Sequence, residues 1–290
     1  MSRIAYVNGR YVSHAHASVH VEDRGYQFAD GVYEVCEVKD GHLIDQTRHM
    51  DRLDRSLSEL RIDWPADRNA VECVLAEVVR RNRVRDGLVY VQVTRGVAKR
   101  DHMFPTGDVK PALVVTAKSV DPSVAQKKAA QGIAAVSVHE NRWDRVDIKT
   151  VGLLPNVLAR QAAVEQGAQE GLFVDSDGIV KEGASTNVWI VTKDKKLVTR
   201  PAEHGILRGI TRAVVMNAAD ELGLSLEERG FTEDEAYEAL EMFVTSATSV
   251  VIPVVQFNGR AIANGEPGST SALLRDAFYR HAEKTAVYAA

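Results

Sequence analysis

Strand-length runs in this chain are joined to one another by tight turns, and helical runs break in at irregular intervals. That mixture is the tightest constraint on the fold. Tyr6-Val7 and Tyr11-Val12 flank Asn8-Gly9, the strongest short hairpin signal. A strand at 32–38 closes at Asp40-Gly41, a hairpin turns at Asp177-Gly178, another turn falls near Lys193-Asp194-Lys195, and a strand at 251–257 ends in Asn258-Gly259. Between these, residues 46–61 switch to helical spacing through Met50, Leu53, Leu57 and Leu60. Pro65 is read as opening a second helix that carries Val71, Val74, Leu75, Val78 and Val79. Further strands are predicted at 88–93, 112–117, 133–138 and 242–246, and further helices at about 154–169 and 209–222. Thr232 and Glu235 form a capping box, and a terminal helix carries Leu273, Leu274 and Phe278. So many strand-to-strand turns argue against a doubly wound parallel sheet and for an α+β architecture. A length of 290 residues suggests about two domains. Ser119-Val120-Asp121-Pro122-Ser123 reads as a linker, so the expected domains are 1–119 and 120–290.

Several function classes are disfavoured at once. A net charge of −4 leaves no electrostatic footprint for nucleic acid or an anionic membrane. No run approaches the ~18 apolar residues of a membrane span, and MSRIAYVNGR has no apolar signal core. Cys36 and Cys73 lie in apolar runs without metal or redox spacing; they read as reduced core thiols of a cytoplasmic protein, and no metal is expected. There is no Gly-x-Ser-x-Gly elbow, no His-Glu-x-x-His, no Walker loop and no Gly-x-Gly-x-x-Gly.

The candidate chemistry is spread along the chain, and each piece is weak alone. Lys149 stands in RWDRVDIKT, where a lysine is ordinarily solvated. Glu182 precedes a glycine and small polar residues that include Ser185 and Thr186, a turn suited to forming a site or to ending a strand in solvent. GILRGITR (205–212) leads into a helix, where backbone N–H groups and the Thr211 hydroxyl suit an anion; plain N-capping by Thr211 reads equally well. A hydroxyl cluster, Thr245-Ser246-Ala247-Thr248-Ser249, ends a strand. Arg100-Asp101-His102 lies in the loop after 88–93, where two basic side chains can converge on a carboxylate or simply face water.

In register, these pieces are similar to the fold type IV pyridoxal-phosphate enzymes, and among them to the D-amino acid aminotransferases. The segments that carry the resemblance are EDRGYQFADGVYE (22–34), HMDRL (49–53), VQVTRG with RDH (91–102), DIK (147–149), EGASTN (182–187), GILRGITR (205–212) and FVTSATS (243–249). It covers nearly the whole chain. It implies two α+β domains with pyridoxal 5'-phosphate at their interface, the second domain carrying the cofactor lysine. By position, Lys149 corresponds to the Schiff-base lysine and Glu182 to the carboxylate at the pyridine nitrogen. Arg52, Ile210 and Thr211 correspond to phosphate binders, with Ser185, Thr186, Ala247 and Thr248 as further cofactor contacts, and Leu207 to the residue packed on the ring. Tyr33, Arg100 and His102 correspond to a trap for the substrate carboxylate; in the family the Arg and His come from the partner subunit, which implies a homodimer. Ala247 stands where some relatives have a phosphate-binding Thr, and Ala29 where relatives have Gly.

The implied reaction moves an amino group from a D-amino acid such as D-alanine to a 2-oxo acid. It needs a nucleophilic amine, an electron sink and a proton carrier. A lysine is the side chain able to form the Schiff base. A carboxylate keeps the ring nitrogen protonated, and a dianionic phosphate wants an Arg and helix-start N–H groups. The Arg-x-His pair favours D-amino acids over the family's alternatives: branched-chain L-amino acid aminotransferase, (R)-amine transaminase and 4-amino-4-deoxychorismate lyase. A reading from another class, a non-catalytic cofactor-binding or interaction protein, would leave Lys149, Glu182 and Arg52 on the surface.

Overall fold

The computed structural model describes residues 3–203 and 205–288. The chain divides into two compact units, Met1–Asp121 with Ile148–Gly152 and Glu283–Ala290 forming the first, and Pro122–Asp147 with Leu153–Ala282 the second. The expected single cut after residue 119 therefore becomes a discontinuous division. The physical reason is backbone pairing. Ile148–Gly152 and the last strand both hydrogen-bond into the first unit's sheet, so Lys149 belongs to that unit and not to the second.

The first unit runs β1 (Ile4–Val7), β2 (Arg10–Ser13), α1 (Arg24–Phe28), β3 (Gly31–Lys39), β4 (His42–Ile44), α2 (Gln46–Leu60), α3 (Arg68–Arg81), β5 (Gly87–Thr94) and β6 (Ala112–Ser119). β3 pairs antiparallel with β5 over eight residue pairs, Gly31↔Thr94 to Val38↔Gly87. Val32, Glu34, Cys36 and Val38 take one face, buried against Met50, Leu53 and Leu57 of α2 and the valines of α3. Tyr33 takes the other face and stacks on Tyr90 of β5, ring centroids 5.5 Å apart. Strand alternation thus puts a carboxylate, Glu34, into an apolar core, and the core must supply its partners.

The second unit runs α4 (Pro122–Gln131), β7 (Ile133–His139), α5 (Leu154–Glu165), β8 (Glu170–Val174), β9 (Val180–Gly183), β10 (Asn187–Val191), β11 (Leu197–Thr199), α6 (Ile210–Glu221), β12 (Leu226–Glu228), α7 (Glu233–Glu238), β13 (Glu241–Ser246), β14 (Val250–Phe257), β15 (Arg260–Ala261) and α8 (Ser269–His281). Its nine-stranded sheet follows the order β12-β11-β10-β13-β14-β7-β8-β9, with β15 on β14. Only β11–β12, β14–β7 and β7–β8 are parallel, so the sheet is mixed. A last strand, β16 (Lys284–Ala286), returns to β4 and completes the first unit's sheet, β16-β4-β3-β5-β6-β1-β2.

Four local expectations change. Asp67, not Pro65, starts α3, its carboxylate accepting from Asn69 N at 2.9 Å. The segment read as a linker enters α4, which buries no residue and so has no apolar stripe to read. The helix expected to reach residue 169 ends at Glu165, and Gly167 follows in a left-handed conformation, φ 73°. Cys36 is buried, but Cys73 is exposed and is not a core thiol. The capping box of α7 stands as read, Thr232 and Glu235 each accepting from the other's N–H.

Leu53, fully buried in the core that α2 forms with β3, is expected to cost about 2–5 kcal/mol on truncation to alanine. Urea unfolding followed by far-UV circular dichroism measures it, and an unchanged midpoint would contradict the packing described.

Candidate active site

In the first unit the backbone brings Lys149 to Tyr33. Tyr33 N donates to Lys149 O at 3.0 Å, Val151 N donates to Gly31 O at 3.0 Å, and Val32 bridges Thr150. On β3, β4 pairs with Val38 and Lys39 at the far end, which leaves the start of β3 open to this segment. The lysine is half-buried, with Nζ 3.3 Å from the Tyr33 hydroxyl and 4.4 Å from the Tyr33 ring centroid. Burial drives the Tyr90 phenol behind Tyr33 to hold its proton more tightly than usual.

On the core face of the same strand, Glu34 takes both Arg52 Nε at 2.6 Å and Arg52 Nη2 at 2.8 Å, and His49 Nδ1 lies 2.7 Å from its second oxygen. Both basic groups come from α2, three residues apart and so on one helix face. Burial opposes the charge on Glu34, yet Arg52 and His49 hold its carboxyl well below the ordinary carboxylate range. Arg52 is correspondingly pushed up by Glu34 against the effect of burial. The predicted phosphate binder is thus a fixed guanidinium, oriented by a carboxylate.

Arg100 and His102 are exposed on the 95–111 segment that links β5 to β6. They come together over one ring. The Arg100 guanidinium carbon lies 4.6 Å from the Phe28 centroid, and the His102 and Phe28 centroids are 5.5 Å apart.

In the second unit Glu182, on β9, is buried and fully partnered. Its Oε1 accepts from Arg142 Nη1 at 2.6 Å, and Oε2 accepts from Leu207 N at 3.0 Å and Asn187 Nδ2 at 3.2 Å. Asn187 also donates to Leu207 O at 3.0 Å, locking the turn before α6. Gly209 is the N-cap of α6, with no side-chain cap, so Thr211 is inside the first turn and does not cap it. A Cβ at Gly209 would collide with Asn187 Oδ1; glycine is needed for that approach. Ile210 and Thr211 therefore open a helix whose first N–H groups have no capping side chain. The Asn187↔Thr245 pairing sets the end of β13 beside this turn, and Ala247 and Thr248 follow, with Thr248 Oγ1 3.3 Å from Ser246 Oγ. Ser185 is exposed, and Thr186 donates to Glu170 at 3.3 Å.

Arg142 is the member of this cluster that the motif reading passes over. It binds Glu140 through Nε and Nη2 as well as Glu182, and its guanidinium stacks 4.1 Å from the Phe173 ring. Burial raises the proton affinity of Glu182, with Arg142 opposing. Glu140 is held low because Arg142 overrides its burial. No spacing rule marks Arg142. Glu34 did leave a signal: it shares strand parity with Val32, Cys36 and Val38.

Taken unit by unit, the donors have the chemistry pyridoxal phosphate needs: in the first a half-buried amine whose neighbour is a hydroxyl, in the second a buried carboxyl held by an arginine and an uncapped helix start. Comparison with known proteins agrees. The family described as Amino-transferase class IV matches residues 31–257. A D-alanine aminotransferase of Bacillus licheniformis is 41% identical over 261 residues, covering 90% of this chain and 90% of the relative. One of Staphylococcus haemolyticus is 37% identical over 96% of this chain and 97% of its own. Among solved structures, a branched-chain amino acid aminotransferase from Escherichia coli aligns with TM-score 0.87 at 24% identity, over 96% of this chain and 94% of that one. A hypothetical aminotransferase from Mycobacterium tuberculosis, in its PLP-bound form, aligns with TM-score 0.84 at 20% identity, over 96% and 98%. These two likenesses show the fold.

Glu34→Gln is expected to destabilise the chain by roughly 3–5 kcal/mol near neutral pH, because it leaves the Arg52 charge half-paired in the core. The acid dependence should also change. Glu34 has a depressed folded-state pKa, so its contribution is intact above the unfolded carboxylate value of about 4.3 and is lost as pH falls below it. Urea midpoints measured across the acid range should fall more steeply for the native chain than for the variant; parallel curves would contradict this assignment.

Proposed function

This chain belongs to the class IV aminotransferases, and from that premise we propose that it is a pyridoxal-phosphate-dependent D-amino acid aminotransferase, passing the amino group of D-alanine or a similar donor to a 2-oxo acid. The observation that carries the reading is Lys149, an amine pinned by backbone pairing beside the Tyr33 hydroxyl. When bound, the cofactor supplies the electron sink for amino-group transfer.

The chain's own groups divide the remaining work. Lys149 Nζ would hold the cofactor, and the same amine would carry a proton to and from the substrate Cα. Its side-chain hydrogen bond is to the Tyr33 hydroxyl, and among the described residues no salt bridge competes for the amine. Glu182 serves the ring nitrogen as a carboxylate, which favours a protonated nitrogen opposite it; the Arg142 guanidinium opposes the burial that works against that charge. Leu207, whose N–H is already bonded to Glu182, offers its side chain to the ring. Arg52, Ile210 and Thr211 suit the phosphate, one as a fixed cation and two as first-turn N–H donors, with Ser185, Thr186 and Thr248 as further hydroxyls and Ala247 offering its backbone N–H.

Tyr33, Arg100 and His102 form the trap for the substrate carboxylate, and that basic trap favours D-amino acids over the branched-chain alternative. The homodimer belongs to the same proposal. Arg100 and His102 are exposed on their own chain, and Val21, Tyr26 and Met103 nearby are each at least 72% exposed, a surface suited to a second copy. A reducing, cytoplasmic setting suits the unpaired thiols, one of them exposed. Among the described residues no helix is long and apolar enough to cross a membrane.

Lys149→Ala is expected to remove the visible band of the bound cofactor and nearly all turnover; retained turnover would overturn its role. Half-reactions followed by cofactor absorbance should run with D-alanine and not with L-leucine, and the reverse outcome would favour the branched-chain reading. Arg100→Ala should raise KM for D-alanine with little change in thermal stability.

A further inference from the structure

Resting on that reading of Arg100 and His102 as the carboxylate trap, we infer that Arg24 is the positioning residue of the trap, and that Asp30, Arg95 and Phe104 complete the device. Arg24 begins α1 and is 3% exposed. Its Nη1 donates to Asp101 O at 2.7 Å, the carbonyl that lies in sequence between the two trap residues. Its backbone N–H donates to Gly96 O at 2.9 Å, and its guanidinium carbon lies 4.8 Å from the Phe28 centroid. Arg100 and His102 also lean on Phe28, so one ring seats the anchor and both side chains that it sets.

A second anchor follows two residues further on. Phe104 has the Arg95 guanidinium carbon 3.9 Å from its centroid and that of Arg61 at 5.0 Å. Arg95 is itself 8% exposed, and it donates to Leu60 O at 2.7 Å and to Arg61 O at 2.9 Å. Asp30 ties the two anchors together, accepting from Arg24 Nε at 2.8 Å and from Arg95 Nε and Nη2 at 2.8 and 3.1 Å. The stems of the loop are also closed. Gly96 has φ 98°, and a Cβ there would collide with Lys110 O.

This arrangement answers a physical problem. An exposed loop has little packing to hold a bidentate clamp in place, and a displacement of about 1 Å can cost on the order of 100-fold in rate. The charge-assisted bond from the buried Arg24 guanidinium to Asp101 O, with Arg95 against the Phe104 ring, holds the loop while leaving the Arg100 and His102 side chains exposed. Asp30 immediately precedes β3, which carries Tyr33, so one short stretch holds the hydroxyl of its own chain's site and the basic pair that the chain offers to its partner's.

The test uses the cofactor-loaded enzyme and the variants Arg24→Gln, Arg24→Lys and Phe104→Ala. Arg24→Gln is expected to raise KM for D-alanine and for 2-oxoglutarate by roughly 10- to 100-fold, with the visible cofactor band and its pH profile unchanged. Arg24→Lys should recover part of the loss. In an Arg100→Ala, His102→Ala background the further effect of Arg24→Gln should vanish, because the anchor then has nothing to position. If Arg24→Gln does not fold, Phe104→Ala, at an exposed side chain, carries the same expectations. An unchanged KM in Arg24→Gln and Phe104→Ala, or a full multiplicative effect in the double-variant background, overturns the inference. An unchanged KM in Arg100→Ala overturns the trap itself, which is a separate failure.

Discussion

The hydrogen bonds between Ile148–Gly152 and the first residues of β3 decide where the Lys149 amine is. Without Tyr33 N to Lys149 O and Val151 N to Gly31 O, the lysine would ride on a connecting segment. With them it becomes in effect an edge residue of a seven-stranded sheet. β3 can accept this partner because β4 is short and pairs only with its far end. The same strand delivers the hydroxyl beside the amine on one face and a carboxylate into the core on the other. A site built on a strand whose opposite face is packed is held more rigidly than one built on loops.

Three carboxylates recur as organisers: Glu34 with Arg52 and His49, Glu182 with Arg142, and Asp30 with Arg24 and Arg95. In each, a carboxylate with at most about a tenth of its side chain exposed takes a guanidinium in a fixed orientation. Such pairs add little net stability, since desolvation offsets most of the attraction. What they give is direction. A bidentate arginine cannot rotate without leaving a charge unpaired, so the functional group beyond it inherits a defined place.

The strands and turns were readable because their signals are local. Alternation from Val32 to Val38, the turns at Asn8-Gly9, Asp40-Gly41 and Asn258-Gly259, and the Thr232–Glu235 box each involve residues a few positions apart. The helix α4 escaped because it buries nothing, and α1 because five residues are too few to show a period. The discontinuous units escaped for a deeper reason: the pairing of residue 150 with residue 32, and of 283–288 with β4 and its turn, are long-range events that no local pattern encodes. Motifs pointed to Lys149, Glu182 and Thr211 as candidates, but the residues that support the candidate site lie elsewhere. Arg142 and Arg24 act through contacts to residues 40 and 77 positions away.

The most direct measurement of the central claim is chemical. Reduction of the cofactor-loaded protein with borohydride, proteolysis and mass mapping of the peptides should place a pyridoxyl group on the ε-nitrogen of Lys149. Finding that mass on another lysine, or on no peptide of a protein that had shown the visible band, would contradict the account.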